Sequence, residues 1–338
     1  IAPLFGVFLA GLRVYYAVKI WEYEGEPTVF QIKKGDTFSN INYRLGEKQL
    51  ISNTRIFHRY AQIRGIMTDF KAGKYRIKSG SDMTDIVQTL LEGKPLTINV
   101  TIPEGKNLFE IAEILVRENI LEKSKPFITW AKNKKFTREL GIPADRVEGY
   151  LFPETYHFPE TQGAKEVIKT MVNEFNKQTA ELNFEKTELS KHEVVTLASM
   201  VEKETGAAWE RPRIAGVFYN RLKKGMRLQS DPTTIYGIYE EFDGNLRRSD
   251  LRETTPYNTY RISGLPKGPI ANPGIKSIKA ALEPEEHKYI FFVSKNDGTH
   301  VFSKNLKQHN RAVRYWQKTP ENRRGRSWKD LRDSAKKE

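Results

Sequence analysis

Two carboxylates, Glu202 and Glu204, close an apolar stretch, SKHEVVTLASMVEKETG, at Ser190–Gly206. A carboxyl group at the edge of an apolar face loses hydration, so its ionised form is disfavoured and its pKa rises. A general acid working near neutral pH needs that state. Two solvated glutamates at a helix end, badly placed against the helix dipole, give the same local pattern. Spacing alone ranks neither reading nor either glutamate.

The element that must position them is a helix. Ser190 followed three residues later by Glu193 predicts a capping box at its start, and Gly206 is placed to stop it. At about 100° per residue, Val194, Leu197, Ala198 and Val201 share one face. Lys203 points away from it. Glu204 falls on the side of Leu197, Met200 and Val201, and Glu202 on the other flank, above Ala198.

Further candidates follow downstream. In MRLQSDPTTIYG at Met226–Gly237, Gln229, Ser230 and Asp231 lead into Pro232 at a helix N1 position, so Ser230 or Asp231 can also be read simply as the N-cap. Thr255–Gly274, TPYNTYRISGLPKGPIANPG, holds four Pro and three Gly. That composition predicts a stiff, ordered loop of the kind that carries function. Its Tyr257, Asn258, Thr259 and Tyr260 offer aromatic faces, amide and hydroxyl groups, the chemistry of sugar recognition. EGYLFPETY at Glu148–Tyr156 reads as a rigid turn, packed in a core sooner than against a ligand. Tyr289–Ser294 is expected as a buried strand, Asn296-Asp297-Gly298 as a hairpin turn, His300–Ser303 as its return strand, and His309-Asn310 as the opening of the last core helix.

The chain has 338 residues, a formal charge of +14 and no cysteine. The length suits two domains. The missing thiols exclude disulfides, thiolate metal sites and cysteine nucleophiles. The charge predicts attraction to a polyanion. Nucleic acid is disfavoured, because the basic residues are dispersed and no helix-turn-helix, zinc or RNP pattern occurs; anionic lipid and acidic wall polymers fit better. IAPLFGVFLAGL at Ile1–Leu12, followed by Arg13, Tyr15, Tyr16, Lys19 and Trp21, reads as the end of a truncated transmembrane anchor over residues 1–24. A signal-peptide remnant and a buried terminal helix are the alternatives. Residues 28–95 are expected to form a small module in the order strand, helix, helix, strand, which resembles the LysM family of glycan-binding modules. Residues 96–317 are expected to form the larger domain, in which 126–140 contains a helix. Residues 318–338 form a charged tail with eight Lys or Arg against four acids, expected to be mobile or weakly helical.

Taken together, EGYLFPETY, LASMVEKETG, NRLKKGMRLQSDPTTIYG, the Pro-rich loop and YIFFVSKNDGTHVFSKNLKQHNRAV, in this order, resemble the YceG-like family of endolytic murein transglycosylases. The resemblance runs from about Thr28 to Tyr315. It implies an α+β protein, a LysM-like module followed by a mixed α/β catalytic domain. It implies a single-pass inner-membrane enzyme, with its catalytic domain outside the cytoplasm, that cleaves peptidoglycan glycan strands beside the synthases of the elongation machinery. No metal or cofactor is implied. In lytic transglycosylases one carboxylate serves as acid and then as base, and it typically precedes a small hydroxyl residue. Glu204-Thr205 fits and Glu202-Lys203 does not, so the resemblance points to Glu204 as catalytic. Glu202, Gln229, Ser230, Asp231, Tyr257, Asn258 and Tyr260 would support it or line the glycan cleft. A water-using muramidase, with Asp231 or Glu202 as second carboxylate, and a non-catalytic wall-binding anchor are the competing readings.

Overall fold

A computed structural model describes residues 2–93, 96–159 and 162–323. Most of the charged tail therefore lies outside the described residues; of it, Lys318 ends a wide helical turn that begins at Arg314, and Pro320–Arg323 form one short helical turn. The chain divides into two compact units. The first is drawn from the stretches up to Val100, Arg117–Glu122 and Tyr156–Gly163, the second from Thr101–Val116, Lys123–Thr155 and Ala164 onward.

In the first unit, α1 (Ala2–Tyr15) runs into a wide turn at Tyr16–Ile20, followed by the two-residue strand β1 (Glu22–Tyr23). Then come β2 (Thr28–Ile32), α2 (Phe38–Glu47), α3 (Thr54–Arg64), β3 (Gly73–Ile77), β4 (Ser81–Asp82) and α4 (Met83–Leu91). Strand β2 pairs antiparallel with β3, with Phe30 opposite Tyr75, and β1 pairs with β4. Both strands alternate, so Phe30, Ile32, Tyr75 and Ile77 point inward with Leu45, Phe57, Ile86 and Leu90 of the helices. Asn53 caps α3 and Asp82 closes a capping box on α4. Val18 packs on this core, and Ser52 Oγ donates to the Ala17 carbonyl at 3.1 Å, tying the end of the N-terminal helix to the module. Helix α1 leaves Val7, Phe8, Leu9 and Leu12 exposed. No helix among the described residues is long and apolar enough to cross a membrane.

Strand β5 (Thr97–Thr101) pairs with β6 (Thr155–Pro159). The second unit is mainly helical: α5 (Leu108–Arg117), α6 (Ser124–Ala131), α7 (Lys134–Glu139), α8 (Ala164–Thr179), α9 (Lys191–Glu204), α10 (Arg211–Lys223), α11 (Asp231–Gly237) and α12 (Ile275–Leu282). A hairpin of β7 (Phe291–Ser294) and β8 (His300–Ser303) then leads to α13 (Leu306–Val313). The stretch 126–140, expected to contain a helix, carries the end of α6 and all of α7; Lys132 and Asn133 separate them, and the Asn133 side chain caps α7 by accepting from Phe136 N. The expected hairpin forms, with Ser294 opposite His300. Strand β7, though, is half-buried along its whole length and starts two residues later than expected; its Phe291 and Phe292 border an open cleft. His309 does not open the last helix: Asn305 caps α13, which places His309 in its middle.

Helix α9 is the centre of this unit, packed by α10, α11 and α12. Its eight residues Val194–Val201 are all buried, so the single apolar face inferred from periodicity is an all-round one. The polar members are satisfied. Thr196 Oγ1 donates to the His192 carbonyl at 2.8 Å, and Ser199 Oγ donates to the Thr196 carbonyl at 2.7 Å while accepting from Ile270 N at 3.0 Å. That last bond fixes the Pro-rich loop against the helix. Gly149 lets the EGYLF turn pack there too: its φ is +87°, and a Cβ would collide with Pro269 and meet Val195 Cγ1 at 2.8 Å.

Candidate active site

The start of α9 is as the sequence dictates. Ser190 Oγ accepts from Glu193 N at 3.3 Å, and Glu193 Oε2 accepts from Ser190 N at 2.8 Å. Its end is not. Gly206 does not adopt a left-handed conformation; the helix ends in extended Thr205 (φ −139°, ψ 138°), whose Oγ1 accepts from Ala207 N at 2.9 Å. The two glutamates diverge there, two residues being 200° apart on a helix.

Glu202 turns into the protein. Its Oε1 accepts from Arg211 Nη2 at 2.8 Å and its Oε2 from Gly274 N at 3.0 Å. Its side chain is 5% exposed and that of Arg211 8%. Arg211 also reaches Glu104 at 3.3 Å. This is a buried ion pair joining the ends of α9 and the Pro-rich loop to the start of α10, and Glu202 does not line the cleft into which Glu204 turns.

Glu204 turns into a cleft of about 390 Å³ that it shares with Arg221, Gln229, Asp231, Tyr260, Phe291, Phe292, Leu306, His309 and Asn310. Its Oε1 accepts from Ser230 Oγ at 2.5 Å. Burial pushes its carboxyl up to about 7; the Asp231 charge adds to the rise, while the Ser230 hydrogen bond and the Arg221 charge oppose it. The carbonyl end of the α9 dipole also disfavours the anion.

The partners of Glu204 are held by backbone geometry. Ser230 stands at the N-cap position of α11 but makes no capping bond with its side chain, which leaves the hydroxyl for Glu204. Its N–H donates to Thr259 Oγ1 at 3.0 Å, and Gln229 N donates to the Thr259 carbonyl at 3.2 Å. Gln229 has φ +48°, a left-handed conformation that a non-glycine residue adopts at a cost of roughly 1 kcal/mol. Arg221 donates to the Leu228 carbonyl at 2.6 Å and the Ile290 carbonyl at 2.7 Å, with its guanidinium 5.3 Å from the Phe291 ring centre. Tyr260 Oη donates to Asp231 Oδ1 at 2.7 Å; burial, that bond and the nearby carboxylates hold its phenol protonated.

Of the residues singled out in the sequence, the cleft brings together Glu204, Gln229, Ser230, Asp231 and Tyr260. Tyr257 and Asn258 lie elsewhere. Asn258 is fully buried, its amide donating to the carbonyls of Asp250, Leu251 and Glu253 and its Oδ1 accepting from Thr234 and Tyr260 N. It braces the loop. Tyr257 packs edge-on to Tyr236, with Arg146 over its ring, beside a separate cavity.

Sequence reasoning gave Arg221, Phe291, Phe292, Leu306, His309 and Asn310 no part in a site; they come from α10, β7 and α13. His309 stacks on Phe291, ring centres 5.0 Å apart, and burial plus the Arg221 charge lower its pKa and keep the imidazole neutral. Glu148 was also missed. It is fully buried, raised to about 7 by desolvation, and accepts from Leu108 N, Tyr236 Oη and Asn272 Nδ2 at 2.8–3.2 Å. It does not line the cleft and joins α5, α11 and the Pro-rich loop.

Replacing Ser230 by Ala removes the donor that favours the Glu204 anion. The carboxyl then rises above 7, and the alkaline limb of any activity that needs it protonated moves to higher pH, with a rate loss of roughly fivefold to twentyfold for one charge-assisted hydrogen bond. A pH profile of the variant checks this; an unmoved limb contradicts the coupling.

The YceG-like family matches residues 30–315. An endolytic murein transglycosylase of Bacillus subtilis is 35% identical over 91% of this chain and 89% of its own length. One of Streptococcus pneumoniae is 30% identical over 83% of this chain, which spans 57% of that longer protein. A crystal structure of a YceG-like protein of Listeria monocytogenes, 33% identical, superposes with a TM-score of 0.59 over 85% of this chain and 99% of that one. Match length, identity and shared fold agree: the chain belongs to the YceG-like family.

Proposed function

We propose that this protein is an endolytic lytic transglycosylase of peptidoglycan, with Glu204 as its single acid and base. The observation that carries the assignment of Glu204 is a carboxyl raised to about 7 on the wall of an open cleft, in a chain whose relatives are murein transglycosylases. Glu204 starts protonated and gives its proton to the oxygen of the MurNAc–GlcNAc bond. The C1–O bond breaks, leaving a free 4-hydroxyl on GlcNAc and oxocarbenium character at C1 of MurNAc. The Glu204 carboxylate then takes the proton of the MurNAc C6 hydroxyl as that oxygen bonds to C1. The product is a 1,6-anhydro end, Glu204 is again protonated, and no water is consumed. Intramolecular attack supplies the effective concentration that a second carboxylate otherwise arranges. Gln229, Asn310 and Tyr260, which line the same cleft, would hold the sugar.

The chemistry places the enzyme at the cell envelope. The exposed apolar residues of α1 support membrane association of the N-terminal segment, and the strand, helix, helix, strand order of the first unit supports the LysM-like reading. Nearby synthases would supply its substrate.

One observation favours a second reading: Asp231 has an exposed carboxylate in the same cleft, which a water-using muramidase could employ as its base. The pH dependence of kcat/KM on purified glycan separates the two. With Glu204 alone, the rate is level below about 7 and falls tenfold per unit above it. A two-carboxylate mechanism adds an acid limb, where Asp231 must stay ionised, and an acid limb abolished in Asp231→Asn overturns the single-carboxylate reading.

A further inference from the structure

The second unit has another cavity, of about 510 Å³, on the far side of α13 from the cleft. It is lined by Tyr289, Phe302, Tyr315 and Trp316 and by the cations Lys304 and Arg311, with no Asp or Glu among its described lining residues. Helix α13 divides the two spaces. Leu306, His309 and Asn310 lie within one helical face and belong to the cleft; Gln308, Arg311 and Ala312 lie on the opposite face and line the pocket with Tyr315 of the wide turn that follows. This explains a helix with a strongly segregated sequence and no buried residue. The hairpin is shared likewise: Phe292 of the cleft pairs with Phe302 of the pocket, ring centres 6.2 Å apart.

The rings and charges specify a ligand. Tyr315 is 54% exposed, and Trp316 meets it edge-on at 5.0 Å. Such faces stack on the C–H side of a pyranose ring. Lys304 lies 5.9 Å from the Tyr289 ring centre, and Arg311 is exposed; both can pair with carboxylates. Together these groups fit a sugar chain bearing carboxylates. A peptidoglycan strand is such a chain, through its lactyl and stem-peptide acids. A strand leaving the cleft across the exposed Leu306, at the N-terminal end of α13, needs to cross only the width of a helix, ~10–12 Å.

Resting on the glycan-cleaving reading above, we infer that this pocket is a distal subsite for the uncleaved part of the same acidic glycan strand, making the enzyme favour long strands over short ones. The test compares kcat/KM of the full chain on long uncrosslinked strands and on the shortest oligosaccharide that is cleaved. In the Lys304→Glu, Arg311→Glu double variant, the value on long strands is expected to fall about tenfold, equivalent to ~1.4 kcal/mol, mostly in KM. On the short substrate it should change less than twofold. Tyr315→Ala gives the same pattern without reversing charge, and long strands with amidated carboxyls lose the advantage on the wild type. Equal losses on both substrates, or none, overturn the subsite. So does pocket-dependent binding of a phosphodiester wall polymer with no effect on glycan. Failure of the wild type to cleave either substrate would instead overturn the proposed activity.

Discussion

Glu204→Gln is expected to lower kcat on peptidoglycan by about 10³-fold or more, since one group supplies both proton transfers, while glycan binding stays within a few-fold of wild type. The same substitution should stabilise the fold at alkaline pH. The carboxyl titrates at about 7 in the folded chain against an ordinary 4.5. Between those values the folded state holds a proton that the unfolded chain has released, so stability falls as pH rises through this window, and the penalty is complete above 7. At about 1.4 kcal/mol per pKa unit it is on the order of 3 kcal/mol. Glutamine never ionises and escapes it. The variant should therefore melt several degrees above wild type at pH 8, with the difference vanishing near pH 4.5. Differential scanning calorimetry at the two pH values, with turnover on the same preparation, checks both halves. Turnover within tenfold of wild type removes Glu204 from its role.

Glu202→Ala should do the reverse. It strands Arg211, whose side chain is 8% exposed, with the partly exposed Glu104 as its remaining acidic partner among the described residues. Breaking a buried pair from one side costs about 3–5 kcal/mol; the remaining contact to Glu104 places the expected loss near the lower figure. For a unit of this size that lowers Tm by roughly 6–12 °C. Well below the new Tm, kcat should stay within a few-fold of wild type. The two glutamates, two positions apart, thus carry opposite signatures: one substitution stabilises and inactivates, the other destabilises and spares turnover. A Glu202 variant that keeps its Tm and loses activity would exchange the two roles. Glu202→Gln is the milder companion, because an amide can still accept from Arg211 and from Gly274 N.

How much of this was legible in the sequence follows from which features are local. The Ser190–Glu193 capping box, the Asn296–Gly298 hairpin turn and the alternation that buries Phe30 and Ile32 need only near neighbours, and each was readable. The flank separation of Glu202 and Glu204 was readable too, because 200° on a helix is geometry. What each flank meets was not: Arg211 lies nine residues on, and Ser230 twenty-six. The TPYNTY run shows the limit best. Tyr257, Asn258 and Tyr260 are equally suited to sugars by side-chain type. Backbone direction in an irregular loop, however, buries Asn258 among three carbonyls, packs Tyr257 on Tyr236 and leaves only Tyr260 at the cleft. Periodicity cannot order residues where there is no period. Gly206 failed as a left-handed stop because Thr205 already leaves the helix in an extended conformation. The far wall, with Phe291 and His309, is assembled from segments about a hundred residues beyond the glutamates. Glu148 had no local signal, since a buried carboxylate is defined by the donors that gather round it.

The central claim is that a single carboxylate drives cleavage without water, and the most direct measurement is product mass spectrometry of purified glycan digested in isotopically labelled water. The expected result is new ends lighter by one water than reducing ends, carrying no label, and absent with Glu204→Gln. Reducing ends that have taken up the labelled oxygen would contradict it and assign the cleft to a hydrolase.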